Sequence, residues 1–122
     1  MIFDSKFYNK LAALHSKDFD ITTNNCGLFV GAVYKEIYNI DLLSSFSIVY
    51  SNEAEAFEYI KSRGGWDTIL TELNFKKRLD DHIHIMDIVI CENAIGIFDG
   101  TNGLFAGRAT RRRNKLTDSY YL

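Results

Sequence analysis

A single stretch, Asn24 to Tyr38, constrains this chain most. From Cys26 the apolar residues Phe29, Val30, Val33, Tyr34 and Ile37 fall at helical spacing. That spacing is the stripe of a helix with one face in a core. A polar loop, Lys17 to Asn25, precedes it with Phe19 and Ile21 as its apolar anchors. Cys26 therefore opens a helix over Cys26 to Tyr38 and lies on its buried stripe. Free N–H groups and the positive dipole end at that place favour a thiolate and lower its pKa. The bland alternative is a small buried hydrophobe, a common state of cysteine.

The rest of the chain divides in two. Phe3 to Ser16 reads as a helix with Phe3, Phe7, Leu11 and Leu14 on one face and Asp4 and Ser5 at its start. His15 sits near its end, capping it or facing solvent. Residues Asn39 to Tyr50 carry Leu42, Leu43, Phe46, Ile48 and Val49 without a clean period and read as a connector packed on the core. Asn52 with Glu55 forms a capping box. The helix it opens carries Ala56, Phe57 and Ile60 inward and breaks at Gly64-Gly65. Trp66, Ile69, Leu70 and Leu73 then give a short helix, with Asp67 in its first turn.

After the charged connector Lys76 to Asp81 the chain becomes β-branched. His82 to Cys91 alternates as a strand, and Ala94 to Phe98 is its hairpin partner across Glu92-Asn93. Asp99 to Gly103 is turn chemistry. Leu104 to Ala106 and Ala109 to Leu116 supply further strands. Helices first and antiparallel strands afterwards make an α+β fold. At 122 residues the chain is expected to be one domain spanning residues 1–122.

Composition excludes several classes. A net charge of -2 gives no overall pull toward nucleic acid or anionic membrane. Two cysteines, Cys26 and Cys91, do not make a disulfide scaffold. There is no basic-then-apolar leader and no apolar run of about 18 residues, so neither a signal peptide nor a membrane span is expected. Synthesis in a cytoplasm follows from that expectation. Proline is absent, so no turn is set by a proline ring.

Several short strings, in order, carry a resemblance. A helix-borne cysteine followed by a strand meander resembles papain-like folds. Asn25-Cys26-Gly27-Leu28-Phe29-Val30 is similar to the start of the cysteine helix in cell-wall endopeptidases of the NlpC type. Met86-Asp87-Ile88-Val89-Ile90 resembles their Gly-Asp strand, and Ala94-Ile95-Gly96-Ile97-Phe98 their His-Val-Gly-Ile-Tyr strand. The resemblance is closer to small phage proteins of this fold, encoded near tail genes and without assigned activity. There a helix ends at paired glycines, as at Gly64-Gly65, and a Leu-Phe-Ala-Gly turn follows, as at Leu104 to Gly107. The resemblance implies N-terminal helices packed on a small antiparallel sheet of papain-like, NlpC-type architecture.

The departures bear on function. Cysteine chemistry in such a site needs a nucleophile, a histidine as base and then acid, and a group orienting that histidine. Cys26 keeps the nucleophile position, but Ala94 stands at the histidine position and cannot move a proton. Asn25 replaces the usual Asp, and Met86 the glycine before Asp87. His82 and His84 are the substitute bases to consider. As a His-x-His pair they also suggest half a metal site, but a metal site needs three or four convergent ligands, and a solvent-facing pair is the simpler reading. No metal or cofactor is expected. Asp87 is read as ending a strand and bonding backbone near a turn, and Gly96 as letting the cysteine helix approach the sheet.

Arg108, Arg111, Arg112, Arg113 and Lys115 cluster within eight residues. Placed on a strand, Arg111 and Arg113 share one face and Arg112 the other. An acidic face of a partner fits Arg108, Arg111 and Arg113 better than nucleic acid does, and a solvated edge that discourages strand pairing fits the run best. Tyr120-Tyr121-Leu122 is apolar for a tail and is expected to pack on the core or on a partner.

Two functions follow from the resemblance. The first is a structural or interaction protein of a phage virion, in its tail, assembled after synthesis in a bacterial cytoplasm and partnered by other virion proteins. The second is an active cysteine peptidase or amidase on peptidoglycan, using Cys26 with a relocated base, His82 or His84. The first is favoured because loss of a general base removes about 10²–10⁴-fold of rate. A nucleic-acid module built on the arginine run trails both.

Overall fold

The computed structural model describes residues 3–45 and 50–122. Phe46, Ile48 and Val49, read above as part of a connector, lie outside the described residues. Within them the chain forms four α-helices and then a six-stranded antiparallel sheet, an α+β arrangement.

Helix α1 spans Ser5–His15. Asp4 caps it by accepting from the Phe7 N–H at 3.0 Å, and its buried face is Phe7 and Leu11. Helix α2 spans Cys26–Tyr38, the bounds the stripe predicts. It stops where Asn39 turns left-handed, at φ 55°. Gly31 on this helix makes room for the Leu43 side chain, which a Cβ there would meet at 2.2 Å. Helix α3, Glu53–Ser62, begins at Asn52, which accepts from the Glu55 N–H at 2.8 Å. It buries Ala56, but Phe57, expected inward, is 48% exposed. Phe57 instead lines a surface cleft between α3 and the sheet. Helix α4, Gly65–Glu72, buries Trp66, Ile69 and Leu70.

The strands are β1 (Lys76–Lys77), β2 (Ile88–Cys91), β3 (Ala94–Phe98), β4 (Asn102–Phe105), β5 (Ala109–Arg112) and β6 (Asp118–Tyr121). Their spatial order is β1-β6-β2-β3-β4-β5. Strands β2 to β5 form a meander, and β6 returns to pair with β2 on its other side. The C-terminal residues thus hold an interior strand position, and Tyr120 is 1% exposed. Alternation along the strands divides the apolar residues. Ile88, Ile90, Ile95, Ile97 and Leu104 join the helices in the main core. Val89, Phe98 and Phe105 form a second, smaller cluster with Cys91, Ala94 and Ala109.

Three expectations need correction. The strand expected from His82 begins only at Ile88, because Met86 turns left-handed at φ 74° and breaks the extended run. The strand expected from Ala109 to Leu116 ends at Arg112, and Arg113–Lys115 is a 3-10 turn. Gly96 does not admit the cysteine helix. Its missing Cβ makes room for the Leu104 carbonyl, 2.3 Å from where that atom would sit, and for the Phe105 ring.

Candidate functional site around Cys26

The loop before α2 is tied down by its own side chains. The Asp20 carboxylate accepts from the Thr22 and Thr23 N–H groups at 2.8 and 3.2 Å. The Thr22 hydroxyl, donating to it at 2.6 Å, is the main reason its pKa falls below the ordinary carboxylate value. Asn24 donates to the Asp18 carbonyl at 2.8 Å. Asn25, 2% exposed, works in both directions: it donates to the Ile21 carbonyl at 3.0 Å and accepts from the Leu28 N–H at 2.9 Å. These bonds set where α2 begins and so place Cys26 as its first residue.

Cys26 lies against the start of β3, where the Ile95 backbone amide neighbours the sulfur. It shares a cleft of about 1070 Å3 with Tyr50, Trp66, Cys91, Ala94 and Phe105. The Trp66 indole N–H donates to the Asn93 carbonyl at 3.0 Å and ties α4 to the β2–β3 hairpin. Phe19 and Phe57, each 48% exposed, stand on the cleft as apolar surface.

Of the two readings of Cys26, the electrostatics favour the small apolar side chain over the activated thiol. Burial pushes the Cys26 thiol above its ordinary value, and the amides of Ile95, Gly27 and Cys26 itself pull it down by less. Desolvation penalises the charged form and here outweighs the helix terminus. Tyr50 is likewise pushed up to about 12, by burial first and then by the neighbouring Cys26 and Tyr59. Neither group offers an anion near neutral pH.

Among the described residues no histidine lines this cleft. His15 bonds through Nε2 to the Ala109 carbonyl at 2.9 Å. His82 and His84 are exposed on the loop before β2. Cys91, by contrast, ends β2 and pairs with Ala94. The histidines therefore approach β2 from its other end, with roughly 10 Å of strand between. No group of three or more His, Cys, Asp or Glu suited to a metal occurs among the described residues. Nor is any described helix long and apolar enough to cross a membrane.

Asp87 sits at that other end and is 3% exposed. It holds a bidentate ion pair with Arg78, through Nε to Oδ2 and through an Nη to Oδ1 at 2.9 Å, and it accepts from the His84 N–H at 3.0 Å. The Arg78 guanidinium lies over the Tyr121 ring at 4.4 Å. Arg78 was not legible as Asp87's partner, since it sits in a charged connector nine residues away. Tyr50 and Trp66 were also missed as cleft residues. A tyrosine just before a helix cap and a tryptophan on an apolar stripe both read as ordinary core.

The arginines are dispersed. Arg111 lines the Cys26 cleft, Arg108 pairs with Asp18, and Arg113 donates to the Asp81 carbonyl at 2.8 Å. Arg111 and Arg113 do not share a strand face, because the strand ends between them. Against known proteins, the chain matches no family model, no curated protein and no solved structure.

Proposed function

We propose that this chain is a papain-like domain of NlpC type, resembling small phage tail-associated proteins, that has lost its catalytic base. It serves as a structural and interaction component of a phage virion, in the tail, alongside other virion proteins. One observation carries the reading: the cleft that holds Cys26 is lined by Ala94, at the position where the resemblance implies a histidine, and by no histidine among the described residues. A cysteine opening a helix against the first residues of a strand is the arrangement the resemblance implies. A half-buried thiol whose surroundings oppose ionisation is what remains of such a site when no histidine accepts its proton. The relocated-base alternative has no support from the placement of His82 and His84.

The test has two arms. The wild-type chain should leave peptidoglycan stem peptides uncleaved, and mass spectrometry of purified particles should find it in the virion. Cleavage abolished by Cys26→Ala would overturn the loss of activity. Absence from particles would overturn the structural role. Ala94→His, in a Cys91→Ser background, should shift iodoacetamide labelling of Cys26 to lower pH, because an adjacent imidazolium stabilises the thiolate. An unchanged profile would remove Ala94 from the base position.

A further inference from the structure

Strand β5 is the last in the sheet order and pairs only with β4. Beyond Ala109 its outer side carries no further strand among the described residues. The His15 imidazole bonds to the Ala109 carbonyl at 2.9 Å, which marks that carbonyl as pointing away from the sheet. Two residues on, backbone alternation turns the Arg111 N–H and C=O the same way. No second strand among the described residues pairs on that side. Thr110, Arg111 and Arg112 are all exposed.

The charges of this edge are uncommitted. Arg111 donates only to the adjacent Thr110 carbonyl, at 2.8 Å. Arg112 and Lys115 make no ion pair among the described residues, whereas Arg108 is held by Asp18 and Arg113 by the Asp81 carbonyl. The opposite edge differs: β1 has two residues, and its Lys77 is paired with Asp118 at 3.2 Å.

We propose that the β5 edge is a docking strand for an acidic, extended segment of a partner protein, which adds to the sheet beside Arg111 and Arg112. Strand addition takes its affinity from main-chain bonds and its selectivity from side chains. Carboxylates opposite Arg111 and Arg112 supply that selectivity. A second copy of this chain is a poor occupant, since pairing β5 with itself sets one arginine row against another. Nucleic acid fits less well, because the chain carries a net charge of -2 and no aromatic residue interrupts the basic run. Arginines on an edge thus block self-pairing while leaving an acidic strand free to enter. This inference says how the interaction role proposed above is carried out. It rests on that role and not on NlpC-type ancestry.

The probe is a synthetic peptide alternating Glu with Val and Thr, titrated into the full chain and followed by amide NMR and fluorescence anisotropy. Binding should slow hydrogen exchange at the Arg111 amide. Arg111→Glu/Arg112→Glu, both exposed positions, should weaken it at least about tenfold. The same peptide N-methylated at alternate residues keeps its charge but cannot pair, and should not bind. Equal binding by the N-methylated peptide, tighter binding of a single-stranded oligonucleotide, or dimerisation of the chain through β5 would each overturn the proposal. Stem-peptide cleavage by the same sample would sink the non-catalytic reading and leave the edge standing, so the two failures are told apart.

Discussion

The two ends of β2 handle polar chemistry in opposite ways. At its start, Asp87 is buried and fully engaged by the Arg78 guanidinium and the His84 amide. At its finish, Cys26 faces the β2–β3 hairpin in a cleft that no histidine lines among the described residues. The first end keeps a charge by surrounding it with donors. The second holds a thiol in surroundings that oppose its ionisation. A charge that stays in the interior must be paired, whereas a thiol can stay simply by holding its proton. Position at a helix mouth is therefore not activation.

The largest effect should come from splitting the ion pair. Arg78→Ala leaves the Asp87 carboxylate buried without its counter-charge and should cost about 3 kcal/mol, read as a lower denaturation midpoint. A loss under about 1 kcal/mol would mean that water reaches Asp87, and the contrast between the two ends would fail.

Removing the cap at the Cys26 end should cost less. Asn25→Ala deletes the bonds of a buried side chain to Ile21 and Leu28, and about 1.5 kcal/mol is expected. The exposed cap Asn52, replaced in the same way, should cost about half as much. Equal losses would show that Asn25 does not depend on its burial.

Met86→Gly sets two terms against each other. It relieves a left-handed backbone worth about 1 kcal/mol but removes a side chain that is 3% exposed, worth about 2 kcal/mol. A net loss of about 1 kcal/mol is expected in the melting curve. A gain would mean that strain dominates at this turn.

The smallest effect is in pH. Cys26 and Tyr50 both bind their protons more tightly in the folded chain. Their contribution is whole below the ordinary thiol value, near about 8.5, and is lost as pH rises through the folded-state values, about 12 for Tyr50. Stability should decline across that alkaline window, and Cys26→Ser should flatten the lower part of the decline. Iodoacetamide labelling of Cys26 that rises below pH 8 would break the reading of a neutral thiol.

Local signals were legible where one element carries them. The α2 stripe, the Asn52 cap and the five residues of β3 all follow from spacing and capping chemistry. The alternation from His82 to Ile85 looked the same as that of a strand but lacks a partner strand. Side-chain parity says nothing about where the backbone bonds go. Strand β6 was missed for the converse reason: four residues carry too little pattern, and they become a strand because β1 and β2 pair on either side.

The amino-acid sequence by itself determined that a cysteine opens a helix, that antiparallel strands follow, and that an alanine opens the second strand of the hairpin. Those are properties of neighbouring residues, and spacing records them. Only the tertiary structure decided that burial opposes ionisation of the thiol, that Asp87 finds Arg78, and that β5 is left as a basic edge strand. Desolvation, ion pairing and edge exposure depend on what distant parts of the chain bring alongside, and no local spacing encodes that.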